Sequence, residues 1–251
     1  MNILIGVFIP FIGTTLGAAC VFLTQSKINL NIQKGLFGFA SGIMVAASVW
    51  SLIIPAINKS DSMGRYAFLP AAAGIFSGMA LLLLLDRVVP HIHPDSEQQG
   101  KTSKMVFAVT LHNVPEGIAV GVVFAGAVSG DRMITLVGAV ALSLGIAIQN
   151  IPEGAIVSIP LKAHGYSKGK SFFYGTLSGM VEPAAAGITL IASNLLSPML
   201  PYLLSFAAGA MLCVVVEELI PETAEGDNAY IGTIGFGIGF VIMMILDVAL
   251  G

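Results

Sequence analysis

Charged residues are scarce in this 251-residue chain: Asp, Glu, Lys and Arg together make up 10% of it, whereas a soluble domain carries about 25%. The chain has only two cysteines, Cys20 and Cys213, and both fall in apolar stretches, which argues against a disulfide-stapled fold. No basic tract is present, which argues against a nucleic-acid partner. Apolar sequence dominates instead: hydrophobic residues account for 56% of the chain, and the mean hydropathy is +0.91.

Eight apolar stretches are long enough to cross a bilayer, which requires about 20 apolar residues per helix. We predict helices here, because runs such as 80–85 lack the alternation that a membrane barrel needs. Glycine is frequent, with 29 residues, as it is in packed transmembrane helices. The sequence therefore predicts an all-α polytopic membrane protein that forms one transmembrane domain over residues 1–251. The predicted spans lie near 3–23, 35–57, 66–89, 104–126, 132–161, 169–192, 199–220 and 229–250.

The positions of Lys and Arg predict the orientation, since cytoplasmic loops carry an excess of these residues. With the N-terminus outside, the inner loops hold eight of the eleven basic residues, and the opposite orientation reverses this ratio. We therefore expect a plasma-membrane protein with both termini outside the cytoplasm and a cytoplasmic loop near 90–103. The eight residues are Lys27, Lys34, Arg87, Lys101, Lys104, Lys162, Lys168 and Lys170.

An internal repeat relates the first three spans to the last three. The sequence FASGIM at 39–44 resembles FAAGAM at 206–211, and a Gly-x3-Gly-x7-Asp pattern at 74–86 recurs at 235–247. Because five spans separate the two copies, the second copy should be inverted in the membrane. Inverted repeats are common in transporters, where the substrate site lies near the midplane at the repeat interface. The repeat thus predicts a central helix pair, spans four and five.

This central pair carries one signature twice, as HNVPEG at 112–117 and QNIPEG at 149–154. A carboxylate inside a bilayer-spanning segment is costly, and it indicates a functional site. Residues four apart share one helix face, so the first residue of each copy lies above its glutamate. Each proline lacks an amide hydrogen and frees a carbonyl one turn earlier. The candidate metal ligands of the two copies are His112, Asn113, Glu116, Gln149, Asn150 and Glu153.

Two further side chains extend this candidate site. Glu182 is a third carboxylate at membrane depth, and Met44 can add a soft thioether. Imidazole favours zinc and other late transition metals, whereas carboxylate and amide oxygens alone suit harder ions. Three neighbouring carboxylates should not all ionise without a compensating cation. Two divalent ions bridged by Glu116 and Glu153 would compensate them; alternatively, protons occupy the site and leave when metal arrives.

Three residue pairs are candidates for the path outside this site. One pair of carboxylates lies near the inner end of span seven, and it is either part of an exit path or a solvated helix end. One pair of histidines is either a surface loop or an acceptor for released metal. Two aspartates end their helices near opposite interfaces, as vestibule ligands or as boundary charges. The carboxylates near span seven are Glu217 and Glu218, the histidines are His91 and His93, and the aspartates are Asp86 and Asp247.

At these residues the chain resembles the ZIP (Zrt/Irt-like) family of metal transporters, in particular its bacterial GufA-like branch. The resemblance rests on 112–117, 149–154, Val-Glu-Pro at 181–183 and Glu-Glu-Leu-Ile-Pro-Glu at 217–222, and it covers essentially the whole chain. It implies eight helices in a 3+2+3 arrangement and an elevator-like movement. It also implies uptake of divalent metal into the cytoplasm, chiefly zinc and often cadmium, iron or manganese. The transported metal is the expected ligand, and no prosthetic group is expected.

The resemblance further implies a binuclear metal site. Many members of the family have His where Gln149 stands, and some have Asp where Asn150 stands. These departures lead us to expect a broader, lower-affinity substrate range than strict zinc selectivity. By matching position, the first metal would be held by Met44, His112, Glu116, Gln149 and Glu153, and the second by Asn113, Glu116, Asn150, Glu153 and Glu182.

Other functions fit the residues less well. An intramembrane metalloprotease usually needs two histidines four residues apart with a glutamate as base, but the partner four residues after His112 is Glu116. A proton-coupled carrier of a small organic solute would use buried carboxylates, yet it would not need the signature twice. A metal efflux carrier and a channel-like pathway stay open. So does a homodimer, because small-residue faces such as Gly74–Gly78 pack helices within or between chains.

Overall fold

A computed structural model of the chain describes residues 3–23, 29–88, 99–128, 134–163, 165–192, 197–224 and 227–250. Within these ranges every regular element is a helix, as the long apolar runs predict. His91 and His93 lie outside the described residues. Asp86 and His112 belong to described helices, but their side chains are likewise outside what the structure describes.

The described helices follow one another with short connections. Two π-helical segments, Ser48–Ile53 and Val215–Leu219, continue two of the α-helices, and 3₁₀ turns cover Asp61–Tyr66 and Ser197–Met199. The α-helices are α1 (Ile3–Leu23), α2 (Leu30–Ala47), α3 (Ile54–Lys59), α4 (Phe68–Val88), α5 (Gln99–Val128), α6 (Leu136–Ala163), α7 (Lys168–Gly179), α8 (Val181–Ile191), α9 (Leu200–Val214), α10 (Ile220–Ala224) and α11 (Tyr230–Leu250).

Six helices of the described chain are long and apolar enough to cross a membrane on their own, so the all-α polytopic prediction holds. The predicted fourth span lies in α5, whose apolar part is Asn113–Val128. The predicted sixth span is α7 followed by α8, with a break at Met180. Helix α5 begins at Gln99, so residues 99–103 of the predicted cytoplasmic loop are helical.

The outer face of α11 shows why these helices suit a bilayer. Its large apolar side chains recur every three or four residues and therefore form one continuous face. In water such a face would be unfavourable, but lipid tails cover it at no cost. The side chains, between 45% and 70% exposed, are Ile234, Ile238, Val241, Ile245 and Val248.

On their inner faces, the helices approach one another closely at glycines. A Cβ atom on Gly239 of α11 would strike the backbone of Phe39 on α2, and one on Gly17 of α1 would strike the backbone of Ile151 on α6. The Gly74–Gly78 face of α4 meets α9 in the same way. This face therefore packs within the chain, which is the first of the two uses that its sequence allows.

The helices fall into two groups. In the first group α1 packs along α6, α5 packs along α8, and α7 lies against α1 and α6. In the second group α2 packs along α11, and α4 packs along α9. The signature helices α5 and α6 contact each other and also face α9, α2 and α11 of the second group. Both copies of the signature therefore lie on the two helices that meet the seam between the groups.

The π-helical segments reveal a further feature of the internal repeat. Ser48–Ile53 and Val215–Leu219 occupy equivalent positions in its two copies, and each is followed by an Ile-Pro pair, Ile54-Pro55 or Ile220-Pro221. In each case the isoleucine amide bonds the carbonyl five residues earlier, instead of the usual four. Proline cannot donate a backbone hydrogen bond, so both helices widen just before it. The two halves thus share a specific helix irregularity as well as a sequence pattern.

Candidate metal site

The structure brings six of the predicted ligands together in the interior. Asn113, Glu116, Gln149 and Asn150 have no exposed surface, and Glu182 is 1% exposed. Glu153 is the most exposed of the six, at 9%. Proline interrupts neither helix, because Pro115 and Pro152 lie inside continuous α5 and α6. The site is therefore a polar cluster between the two signature helices and the start of α8.

A chain of hydrogen bonds links the three helices. Gln149 Nε2 donates to Glu116 Oε1 and, over 2.9 Å, to Asn150 Oδ1. Asn150 Nδ2 in turn donates to Glu182 Oε2 over 2.9 Å, and Asn113 Nδ2 donates to the Ser178 carbonyl over 3.1 Å. The amide N–H groups thus face carboxylate, side-chain amide and backbone carbonyl oxygens.

Four oxygen atoms of this cluster are buried and have no hydrogen-bond partner among the described residues. Buried polar atoms are paired in the great majority of cases, so each exception requires an explanation. The amide oxygens can donate an electron pair, and so can the carboxyl oxygens when their groups are ionised. The atoms are Asn113 Oδ1, Glu116 Oε2, Gln149 Oε1 and Glu153 Oε2.

This donor set fits a divalent cation. The carboxyl groups of Glu116, Glu153 and Glu182 lie within electrostatic range of one another, and a cation between them would relieve their repulsion. Among the described side chains, no three His, Cys, Asp or Glu residues converge closely enough to hold one ion by themselves. A metal bound here would therefore also draw on amide oxygens, on the thioether of Met44, which is 1% exposed, or on His112.

At the last glycine of each signature, the backbone of another helix packs closely against the signature helix. A Cβ atom on Gly117 would strike the backbone of Glu182, and a Cβ atom on Gly154 would strike the backbone of Thr14 in α1. Only a residue without a side chain allows backbones to approach so closely. The two glycines therefore let Glu182 of α8 and Thr14 of α1 pack directly against the two signature helices.

Sequence reasoning missed two polar residues at the site and its approaches. Thr14 Oγ1 donates to Glu182 Oε1 over 2.9 Å, and Ser51 Oγ donates to Asp247 Oδ1. Both hydroxyls lie within apolar stretches, which is the one sequence signal that they share. That signal is weak, because a hydroxyl in a membrane helix commonly bonds its own backbone, as Ser41 does to the Phe37 carbonyl.

A cavity of about 390 Å³ reaches Glu153 from one end of the helices; we call it the Glu153 cavity. Glu217 and Glu218 line it from the second π-helical segment, together with Glu222. Glu218 also lies within electrostatic range of Glu153. Glu217 and Glu218, the two carboxylates predicted either for an exit path or for a solvated helix end, therefore line the same cavity as Glu153.

A smaller cavity of about 190 Å³ opens at the opposite end; we call it the Asp247 cavity. Its lining includes Ser51 from the first π-helical segment and Asn58 from α3. Asp247 Oδ2 is buried and has no hydrogen-bond partner in the described part of the chain. None of the central carboxylates lines this cavity. Of these two cavities, the Glu153 cavity is therefore the one that reaches a central carboxylate.

A sequence model of the family described as "ZIP Zinc transporter" matches residues 91–247 of the chain. "Zinc transporter ZIP11" of Homo sapiens is 35% identical over 333 aligned positions, which cover 99% of this chain and 97% of the relative. "Zinc transporter GufA" of Myxococcus xanthus is 36% identical, with 95% of this chain and 94% of the relative covered. "Zinc transporter ZIPB" of Bordetella bronchiseptica is also 36% identical, with 96% and 79% covered.

Proposed function

The chain belongs to the ZIP zinc transporter family as a GufA-like member, and on this basis we propose that it carries divalent metal ions, zinc foremost, into the cytoplasm. Divalent metal transport follows from similarity to zinc transporters over nearly the whole chain. The route that we propose runs between α5 and α6, in an integral protein of the plasma membrane.

The observation that carries this proposal is the set of four buried oxygen atoms without described partners. An organic-solute carrier would need apolar surface beside its polar groups to bind a carbon skeleton. Here the unpaired atoms are all electron-pair donors on the two signature helices. A desolvated metal ion is the ligand that such a cluster suits best.

Two metal positions share the bridging carboxylates Glu116 and Glu153 in our proposal. In the structure the amide N–H groups of Gln149 and Asn150 point toward carboxylates, so metal binding would turn the amide oxygens to the ion. The first position comprises Met44, His112, Glu116, Gln149 and Glu153, and the second comprises Asn113, Glu116, Asn150, Glu153 and Glu182.

We infer an elevator-type movement of the first helix group against the second. The first group holds all of these ligands except Met44, so it can carry the ions as one body. The Glu153 cavity reaches the site from one end, while the Asp247 cavity lies at the other. Glu217 and Glu218 would then receive the released metal, and Asp247 would meet incoming metal. The eight spans would be the six apolar helices, α5, and α7 with α8.

Gln149→His should shift the metal preference toward zinc, because imidazole is a better zinc ligand than an amide. We expect zinc to gain about tenfold over manganese in apparent affinity. Competition between the two metals in an uptake assay measures this ratio, with Gln33→His, at the rim of the Glu153 cavity, as the matched control. An unchanged ratio in Gln149→His would contradict direct contact between Gln149 and the metal.

The proposed orientation places the Glu153 cavity on the cytoplasmic side. Single cysteines at Gln33 and Asn58, which line the Glu153 and Asp247 cavities respectively, should report it once Cys20 and Cys213 are replaced by alanine. In intact cells, a membrane-impermeant thiol reagent should label cysteine at 58 and leave cysteine at 33 unlabelled until the membrane is opened. The reverse pattern would place both termini in the cytoplasm.

The function itself is tested by uptake of zinc, cadmium, iron and manganese into proteoliposomes that hold a metal-responsive dye. Saturable zinc influx that the other metals inhibit would support a carrier. Influx that rises linearly with concentration would favour a channel-like pathway instead. No flux of any divalent metal, in protein that is shown to be folded, would refute the proposal and favour an organic-solute carrier.

A further inference from the structure

We propose that Thr14 of α1 is a positioning residue for the second metal, because it holds Glu182 in its coordinating orientation. The Thr14 hydroxyl, which has no exposed surface, donates to Glu182 Oε1 over 2.9 Å across 168 residues of sequence. The inference rests on the proposed transport function. It assigns a role in metal binding to α1, a helix that supplies none of the ligands of either metal position.

Close packing holds Thr14 in place on two sides. A Cβ atom on Gly154 would strike the Thr14 backbone, and a Cβ atom on Gly179 would lie 2.7 Å from Thr14 Cβ. Gly154 is the last residue of the second signature, and Gly179 ends α7, just before the turn that leads to Glu182. The hydroxyl therefore has little freedom to leave the carboxylate.

The internal repeat gives this placement a reason. The glycine of the first signature, Gly117, receives the backbone of Glu182, and the glycine of the second, Gly154, receives the backbone of Thr14. Thr14 in the first span thus occupies the position that corresponds to Glu182 in the sixth. One copy of the repeat supplies a carboxylate, and the other supplies a hydroxyl that binds this carboxylate.

The contacts of α1 reach two of the three ligands that are specific to the second metal position, Glu182 and Asn150. Thr14 bonds one Glu182 oxygen, while Asn150 Nδ2 bonds the other and also approaches the Pro10 carbonyl at 3.4 Å. A carboxylate oxygen that accepts one hydrogen bond keeps a lone pair for a metal. Outer partners of this kind orient a ligand, and their loss typically lowers metal affinity about 10–100-fold.

The neighbouring residue Thr15 provides a matched control. Thr15 Oγ1 is buried, yet it has no hydrogen-bond partner in the described part of the chain. The substitutions Thr14→Val and Thr15→Val replace the same hydroxyl with the same methyl group, one position apart on one helix. Only the first removes a bond to Glu182, whereas Thr14→Ser retains it.

The test is zinc binding to the purified full-length protein by isothermal titration, together with zinc uptake into proteoliposomes. We expect Thr14→Val to weaken zinc binding about 10–100-fold and to raise KM more than it lowers the maximal rate. Thr14→Ser and Thr15→Val should remain close to wild type in both assays. Thermal unfolding without metal shows whether each variant is folded.

Equal zinc affinity in Thr14→Val and Thr15→Val would overturn the inference while leaving metal transport intact. The same holds if Thr14→Ser is as weak as Thr14→Val, since a role in helix packing, and not the hydroxyl, would then explain the loss. Failure of the proposed function looks different, because wild-type protein would then neither bind nor transport zinc. The wild-type protein in the two assays, titration and uptake, therefore distinguishes the two failures.

Discussion

Glu116→Ala and Glu153→Ala should each abolish metal uptake, because each removes a carboxylate that we assign to both metal positions. Loss of an outer partner of a metal ligand typically costs 10–100-fold in affinity, so loss of a shared ligand should reduce uptake by at least about 100-fold. Proteoliposome influx of zinc and cadmium measures this effect. Asp61→Ala provides the control, since that carboxylate is exposed and lines neither cavity.

A second measurement separates lost binding from lost folding. Metal that binds only the folded protein stabilises it by about 2.7 kcal/mol at a concentration 100 times the Kd. Wild-type protein should therefore unfold at a higher temperature with zinc than without it, and Glu116→Ala should lose this increase. Its unfolding without metal shows whether the variant is folded, since the mutation removes one carboxylate oxygen without a described partner and one that accepts a hydrogen bond from Gln149 Nε2. Near-normal uptake by either alanine variant would remove the bridging assignment.

Gly117→Ala should have the next largest effect, although it adds only one methyl group. That methyl would strike the Glu182 backbone and would come within 2.9 Å of Ala185 Cβ, so α8 must move away from α5. Overpacking of this kind costs about 1–3 kcal/mol of stability. It also displaces Glu182, and functional geometry tolerates shifts of only about 0.5 Å, so we expect uptake to fall more than about tenfold.

Gly187→Ala is the matched control for this prediction. Gly187 lies on α8, the helix that the Gly117 methyl group would displace, and a Cβ atom on Gly187 would meet nothing within 4 Å. It should leave both uptake and thermal unfolding close to wild type. If Gly117→Ala also behaved like wild type, close backbone contact at Gly117 would not be what holds Glu182. The comparison thus tests the packing itself, separately from the chemistry of the carboxylates.

The candidate site shows how far the sequence reaches. The clustering of the candidate ligands on α5 and α6 was predictable because helical geometry is local: residues four apart share a face whatever surrounds the helix. Glu182 was predictable because a carboxylate stands out in an apolar span. Thr14 was not predictable, since its partner is 168 residues away and a hydroxyl is a weak signal in a membrane helix.

The sequence alone determined the membrane class, the all-helical character, the duplicated signature and the family, because composition and short periodic patterns carry that information. Only the tertiary structure decided which oxygens are left unpaired, which hydroxyl donates a hydrogen bond to Glu182, and which carboxylate the Glu153 cavity reaches. These features depend on how close one backbone comes to another. That distance is set at Gly117 and Gly154 by contacts between residues far apart in the chain, and no local pattern encodes the partner of a glycine.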